Sequence, residues 1–156
     1  MLQVINLTKI YEGGVKALDN VSFEVPKGQF LAVIGLSGSG KSTLLRCINR
    51  LHNPTQGQIL WDGVDITAAS DEEMRRIRRK IGMVFQHFNL VHRSSVLTNV
   101  LAGRLGYTNP AWSLINRFPR KDIDKAIHQL SRVGIAEKAH QRADELSGGQ
   151  QQRVGI

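Results

Sequence analysis

The run Gly35-Leu36-Ser37-Gly38-Ser39-Gly40-Lys41-Ser42 constrains this chain more than any other feature. It fits Gly-x4-Gly-Lys-Ser and follows Phe30-Leu31-Ala32-Val33-Ile34, a continuous β-rich run whose lack of alternation suits a strand buried on both faces of a parallel sheet. Behind it, a helix is expected from about Lys41 to Leu51, closed by Asn53-Pro54. Strand, glycine-rich loop and helix in that order make a phosphate cradle. The glycines let successive N–H groups face one point, and the helix start adds its positive dipole end. Lys41 then bridges the outer phosphates while Ser42 places a hydroxyl on Mg²⁺. A flexible Gly/Ser turn that happens to precede Lys-Ser is the alternative, and the strand-loop-helix context argues against it.

Such a loop alone leaves kinases, GTPases, helicases and transport ATPases open, so the rest of the chain must narrow the choice. With 156 residues there is room for one domain with its own core, and 41% hydrophobic against 22% charged residues is an ordinary globular balance. Apolar runs such as Phe30 to Ile34 are too short to cross a bilayer, and Met1 leads into mixed polar sequence, so neither a membrane span nor a signal peptide is expected. Cys47 is the single cysteine, with no CxxC or His partner at metal-ligand spacing, which fits a reducing compartment. The net charge of +8 invites a polyanionic partner. Yet the densest basic cluster, Arg75, Arg76, Arg78, Arg79 and Lys80, follows Ser70, Asp71, Glu72 and Glu73. That order reads as a helix with a Ser-x-x-Glu capping box and charges matched to its dipole, a better account than a DNA-binding stripe.

Other elements follow from periodicity. Ala17 to Val25 alternates, with Val21, Phe23 and Val25 apolar, as a half-buried strand that Pro26-Lys27-Gly28 ends in a turn. Gln58 to Trp61 is a short strand closing on an Asp62-Gly63 hairpin signal, and Ile81 to Phe85 reads as a second buried strand. From Asp122 to Val133, Ile123, Ala126, Ile127, Leu130 and Val133 fall at helical spacing ahead of Gly134. Short helices are expected around Val96 to Ala102 and Trp112 to Asn116.

The second strong motif is Leu146-Ser147-Gly148-Gly149-Gln150, continued by Gln151-Gln152-Arg153-Val154. Ser147 can cap a helix whose first turn is opened by two glycines, a second anion-binding helix start without a lysine. An ordinary Ser-Gly-Gly loop before a helix is the alternative. Behind a phosphate loop, this pentapeptide is the signature of ATP-binding cassette (ABC) proteins, and on these residues the chain is identified as a member of that family. The resemblance implies an α/β P-loop NTPase fold of the ABC ATPase type, with a mixed-sheet core, an antiparallel β subdomain and a helical subdomain. Residues 1–86 would be the nucleotide-binding core and β subdomain, 87–146 the mostly helical subdomain and 147–156 the start of the signature helix. ATP and Mg²⁺ are the implied cofactors, with Gly35, Leu36, Ser37, Gly38, Ser39, Gly40, Lys41, Ser42 and Thr43 around the phosphates. Tyr11 stands where these cassettes carry an aromatic that stacks on adenine; a strand-terminal core tyrosine fits the sequence equally well. Gln86 resembles the family glutamine that touches Mg²⁺ or the attacking water and links the nucleotide to the membrane partner. Ser42 and Gln86 are thus the implied metal contacts.

Gln86-His87-Phe88-Asn89-Leu90-Val91, Leu97-Thr98-Asn99-Val100-Leu101, Gly103-Arg104-Leu105-Gly106 and the aromatic stretch from Trp112 to Phe118 resemble the phosphonate importer cassettes in particular. In that family a Walker B strand with its Asp and catalytic Glu, and later a switch histidine, follow the signature. Here the last carboxylate is Glu145, and His52, His87, His92, His128 and His140 all come too early. Ile59-Leu60-Trp61-Asp62 imitates a Walker B ending, but Gly63 makes it a hairpin turn. The resemblance therefore implies the first part of a cassette, without the C-terminal part of the core, and no useful ATP hydrolysis by these 156 residues alone.

For the whole assembly it implies import of a small solute, with phosphonate as the resemblance suggests. Two copies would sandwich two ATP molecules head to tail, each phosphate loop facing the other signature. Closure would drive an integral membrane permease, fed indirectly by a solute-binding protein, at the cytoplasmic face of the membrane and without nucleic acid. Exposed apolar residues between Gln86 and Phe118, such as Phe88, Leu90, Tyr107 and Trp112, are the expected permease contact. Two alternatives stay open: a non-catalytic nucleotide-binding module, and a DNA-maintenance ABC ATPase. The latter class places a coiled coil or zinc insertion between the motifs, whereas Ser42 and Ser147 stand 105 positions apart with neither heptads nor paired cysteines.

Overall fold

A computed structural model of the chain describes residues 1–85, 88–107 and 118–156. The described residues form two compact units, Met1–Ile81 and Gly82–Ile156.

The first unit is built on an antiparallel sheet of four strands in the order β2-β1-β3-β4: β1 Leu2–Ile10, β2 Lys16–Val25, β3 Gln56–Trp61 and β4 Val64–Asp65. β2 shows the expected alternation, and Asp62 and Gly63, both at positive φ, turn β3 into β4. β1 escapes a reading based on alternation because its period is broken. Besides a slip between Lys9 and Ile10, its pairing with β2 slips between Val4 and Leu7 and slips back between Leu7 and Lys9. Asn6 (φ 48°) and Asn20 (φ 51°) mark these two irregularities, where asparagine tolerates the left-handed conformation. Side chains replace the lost ladder bonds: the Asn6 N–H donates to Ser22 Oγ at 2.8 Å and the Asn20 N–H to Thr8 Oγ1 at 3.0 Å. On the other side of β1 only glycine fits at position 57, since a Cβ there would stand 2.4 Å from the Asn6 carbonyl oxygen.

One face of this sheet buries Val4, Leu7, Leu18 and Ile59 with Ile66, Met74 and two residues of the helix α1 (Lys41–Ile48), Leu44 and Cys47. Each fully buried Leu or Ile contributes about 1.5–3 kcal/mol of transfer free energy. This packing sets the start of α1 against β2, and with it the loop that precedes the helix. α1 ends at Ile48, before the expected Leu51, because Arg50 takes φ 49°. The charged helix α2, Asp71–Arg78, has the expected Ser70–Glu73 capping box. Its last arginine is structural: Arg78 donates to the carbonyls of Asn49 at 3.2 Å and Arg50 at 2.7 Å, satisfying groups just past the end of α1.

Two expectations are corrected here. Phe30 to Ile34 joins no described strand, and Phe30 and Ile34 are 90% and 91% exposed. Ile81 to Phe85 is likewise outside the sheet, with Val84 exposed. A strand buried on both faces needs a hydrogen-bonded neighbour at each side and a layer above and below. None of the four described strands pairs with either run, so their apolar side chains lack that cover.

The second unit packs α3 (Val96–Ala102), α4 (Arg120–Arg132) and α5 (Gly148–Val154) around Val96, Leu130, Ile135, Ala139 and Leu146. α3 spans the expected residues, capped by Ser95, whose hydroxyl accepts from the Thr98 N–H. α4 has the expected amphipathic spacing, but its first turn also buries Asp122, held by Arg104 through Nε and Nη2 at 3.0 Å each. The expected short helix at Trp112 to Asn116 lies outside the described residues.

Candidate nucleotide site

The loop from Gly35 to Gly40 reaches α1 through a glycine that no other residue could replace without distortion. Gly40 is the N-cap at φ 86° and offers no side chain to cap the helix. The first helical bond runs from the Leu44 N–H to the Gly40 carbonyl at 2.8 Å, so the amides of Lys41, Ser42 and Thr43 precede the ladder without a helical acceptor. Lys41 folds back over the loop. Its ammonium donates to the Gly35 carbonyl at 2.8 Å, the Leu36 carbonyl at 2.6 Å and Ser39 Oγ at 3.3 Å. The Ser39 N–H closes a turn on the Leu36 carbonyl at 3.2 Å, and a Cβ on Gly35 would meet Ser39 Oγ at 2.8 Å.

The donor set fits a polyphosphate. Amides at a helix start, one ammonium held by the loop and the hydroxyl-bearing residues Ser42 and Thr43 occur together in nine residues, and no Asp or Glu occurs between Glu24 and Asp62. That acid-free stretch is a signal the sequence carries beyond the motif itself. Anion binding at such a helix start draws on both the unpaired N–H groups and the dipole.

Tyr11 lies beside this helix. It follows β1 at the head of a tight loop in which its N–H donates to the Val15 carbonyl at 2.9 Å. Its hydroxyl stands 3.2 Å from Thr43 Oγ1 and 2.7 Å from His52 Nδ1, and the two rings meet at 88° with centroids 5.6 Å apart. Lys9 Nζ sits over the tyrosine ring at 5.2 Å from its centroid and donates to the Asn53 carbonyl. Tyr11 is thus a half-buried residue tied to the phosphate helix. His52 is a partner of Tyr11 that spacing does not reveal, because 41 positions separate the two.

The Leu146–Gln150 motif belongs to the second unit. Ser147 caps α5 with a full capping box: its N–H donates to Gln150 Oε1 at 2.9 Å, and its hydroxyl accepts from the Gln150 N–H at 3.4 Å. Leu146 is buried, and Gln151 Nε2 donates to the carbonyls of Ala143 and Leu146, both at 3.1 Å. Gly148 and Gly149 have nothing within 4 Å of where a Cβ would stand, so their backbone faces open space. Gln86, the expected metal and water contact, lies outside the described residues, as does Trp112.

Comparison with known proteins agrees with these motifs. A family model described as ABC transporter matches residues 18–156. Over all 156 residues the chain is 54% identical to the phosphonates import ATP-binding protein PhnC of Bacillus thuringiensis subsp. konkukian, of which it covers 61%. It is 53% identical to the PhnC of Shouchella clausii, covering 59% of that protein. The chain therefore spans about three-fifths of the length of these curated relatives. Among solved structures, the dimeric bacterial cassette MJ0796 superposes with a TM-score of 0.85 at 36% identity, over 100% of this chain and 67% of that one. A nucleotide-free cassette from an ABC transporter gives 0.77 at 31% identity, over 99% and 63%.

Proposed function

Because the chain belongs to the ABC transporter family, we propose that it is the ATP-binding part of an importer that couples ATP binding and hydrolysis to uptake of a phosphonate. Its fold is the P-loop cassette fold of that family, an α/β core with an antiparallel sheet and a helical subdomain. The observation that carries the nucleotide reading is the Gly35–Thr43 loop and helix start, where α1 begins without a side-chain cap and the Lys41 ammonium lies against the loop carbonyls of Gly35 and Leu36. ATP would lie with its outer phosphates on Lys41 and these amides, its base at Tyr11, and Mg²⁺ on Ser42 together with phosphate oxygens. Among the described residues no cluster of three or more His, Cys, Asp or Glu could hold a metal, and phosphate oxygens would supply ligands beside Ser42. Gln86 is proposed as a further contact of Mg²⁺ or the attacking water. Bound Mg²⁺ would neutralise charge developing on the transferred phosphoryl group.

The partner proteins are part of the same proposal. A second copy would bring its Leu146–Gln150 motif to the γ-phosphate; MJ0796, similar over the whole of this chain, was solved as a dimer. The permease would dock on the helical subdomain, where Phe85, Phe88, Leu90, Val91 and Val100 line a largely apolar cleft of about 730 Å³. Such a subunit works at the cytoplasmic face of the membrane; no helix among the described residues is long and apolar enough to cross one.

Growth tests the reading. In a strain lacking its own phosphonate-importer ATPase, the wild-type gene should restore growth on a phosphonate as sole phosphorus source, and Lys41→Ala should not. Wild-type protein that is present and hydrolyses ATP but restores no growth would refute the solute assignment.

A further inference from the structure

The Tyr11 ring is held at more points than a core tyrosine requires. Its hydroxyl meets His52 Nδ1 at 2.7 Å and Thr43 Oγ1 at 3.2 Å, His52 packs at a right angle, and the Lys9 ammonium covers one face. The anchors come from three separate places in the chain: β1, the first turn of α1, and the segment after α1. From these contacts we propose that His52 is a positioning residue for nucleotide binding, holding Tyr11 by its hydroxyl so that the ring presents its free face to adenine. The inference rests on reading Tyr11 as the adenine platform.

The physical case is preorganisation. An aromatic side chain on a loop loses rotamer freedom when a base stacks on it, and that cost lowers affinity. A hydrogen bond to the far end of the ring removes the cost beforehand. Because one face carries a cation, a base must take the other, and a ring free to swing would offer either edge or face. Thr43 couples the same hydroxyl to the phosphate helix, so base platform and phosphate cradle share one rigid support.

Calorimetry on the full chain with ATP and with inorganic tripolyphosphate separates base contacts from phosphate contacts. His52→Phe keeps the ring and removes Nδ1; it should weaken ATP binding about fivefold, the worth of one hydrogen bond, and leave tripolyphosphate affinity unchanged. His52→Asn, whose amide can reach the Tyr11 hydroxyl, should recover part of the loss. In a Tyr11→Phe background His52→Phe should add nothing, since the shared bond is already gone. Equal weakening of both ligands would make His52 merely structural and overturn the proposal. Should Tyr11→Ala abolish the preference for ATP while His52→Phe retains it, the positioning role falls and the platform reading stands. Should Tyr11→Ala bind ATP as tightly as wild type, the platform reading falls and takes the proposal with it.

Discussion

A Cβ on Gly40 would stand 2.2 Å from the carbonyl oxygen of Ala17, closer than any real contact. The strand β2 and the start of α1 are therefore pressed together through a residue that must be glycine, also because its φ is 86°. Gly40→Ala should lower stability by about 3 kcal/mol or more, combining the left-handed penalty with the backbone clash. Gly148→Ala, where nothing lies within 4 Å, should change stability by no more than about 0.5 kcal/mol. Urea denaturation of the two variants beside wild type makes the comparison; equal stability would mean β2 and α1 are not in this contact.

Lys41→Ala should reduce ATP affinity by about 1–3 kcal/mol, the range for lost charge-assisted hydrogen bonds. Its protein acceptors are two loop carbonyls and a serine hydroxyl, which water can satisfy, so the melting temperature should hardly move. Calorimetry and a thermal melt on the same preparation check both halves. Unchanged affinity would remove the lysine from the phosphate site.

Ser147→Ala should fray α5. The helix has seven residues, too few to persist on intrinsic propensity, and its first turn depends on the reciprocal Ser147–Gln150 bonds. Loss of such a cap costs about 1 kcal/mol. Amide exchange in Gln150 to Val154 should quicken by about fivefold relative to α4, whose own residues are unchanged. Uniform exchange across both helices would show that packing, not the cap, holds α5.

The capping box of α2 carries a pH signature. The Ser70 N–H, bonded to the Glu73 carboxylate at 2.8 Å, holds that carboxyl below its ordinary value, with the Ser70 hydroxyl and Arg76 helping. A carboxyl lowered by folding stabilises the native state above the ordinary carboxylate range, and that stability is lost as pH falls through the lowered value. Glu73→Gln keeps a capping side chain without the charge. Wild type should therefore be the more stable of the two above about pH 4.5, and the difference should shrink on acidification. Urea midpoints across that interval test the sign; a gap that widens as pH falls would contradict the assignment.

What the amino-acid order determined by itself are features closed within a few residues: the Gly35–Ser42 loop and its helix, the serine caps at Ser70 and Ser147, the Asp62-Gly63 turn and the amphipathic α4. Each depends on side chains one turn or one hairpin apart, so local chemistry suffices to specify it. Tertiary structure alone decided the rest. β1 is invisible to a period-2 reading because its register shifts, two of them marked by Asn6 and Asn20, exist only in its pairing with β2. Phe30 to Ile34 has the composition of a buried strand, yet pairing is a property of neighbours and not of the run, and no described strand lies beside it. Tyr11 was open between core and platform in the sequence. Its hydroxyl is tied to Thr43 and His52, 32 and 41 positions away, which only the packing of α1 on the sheet brings to it.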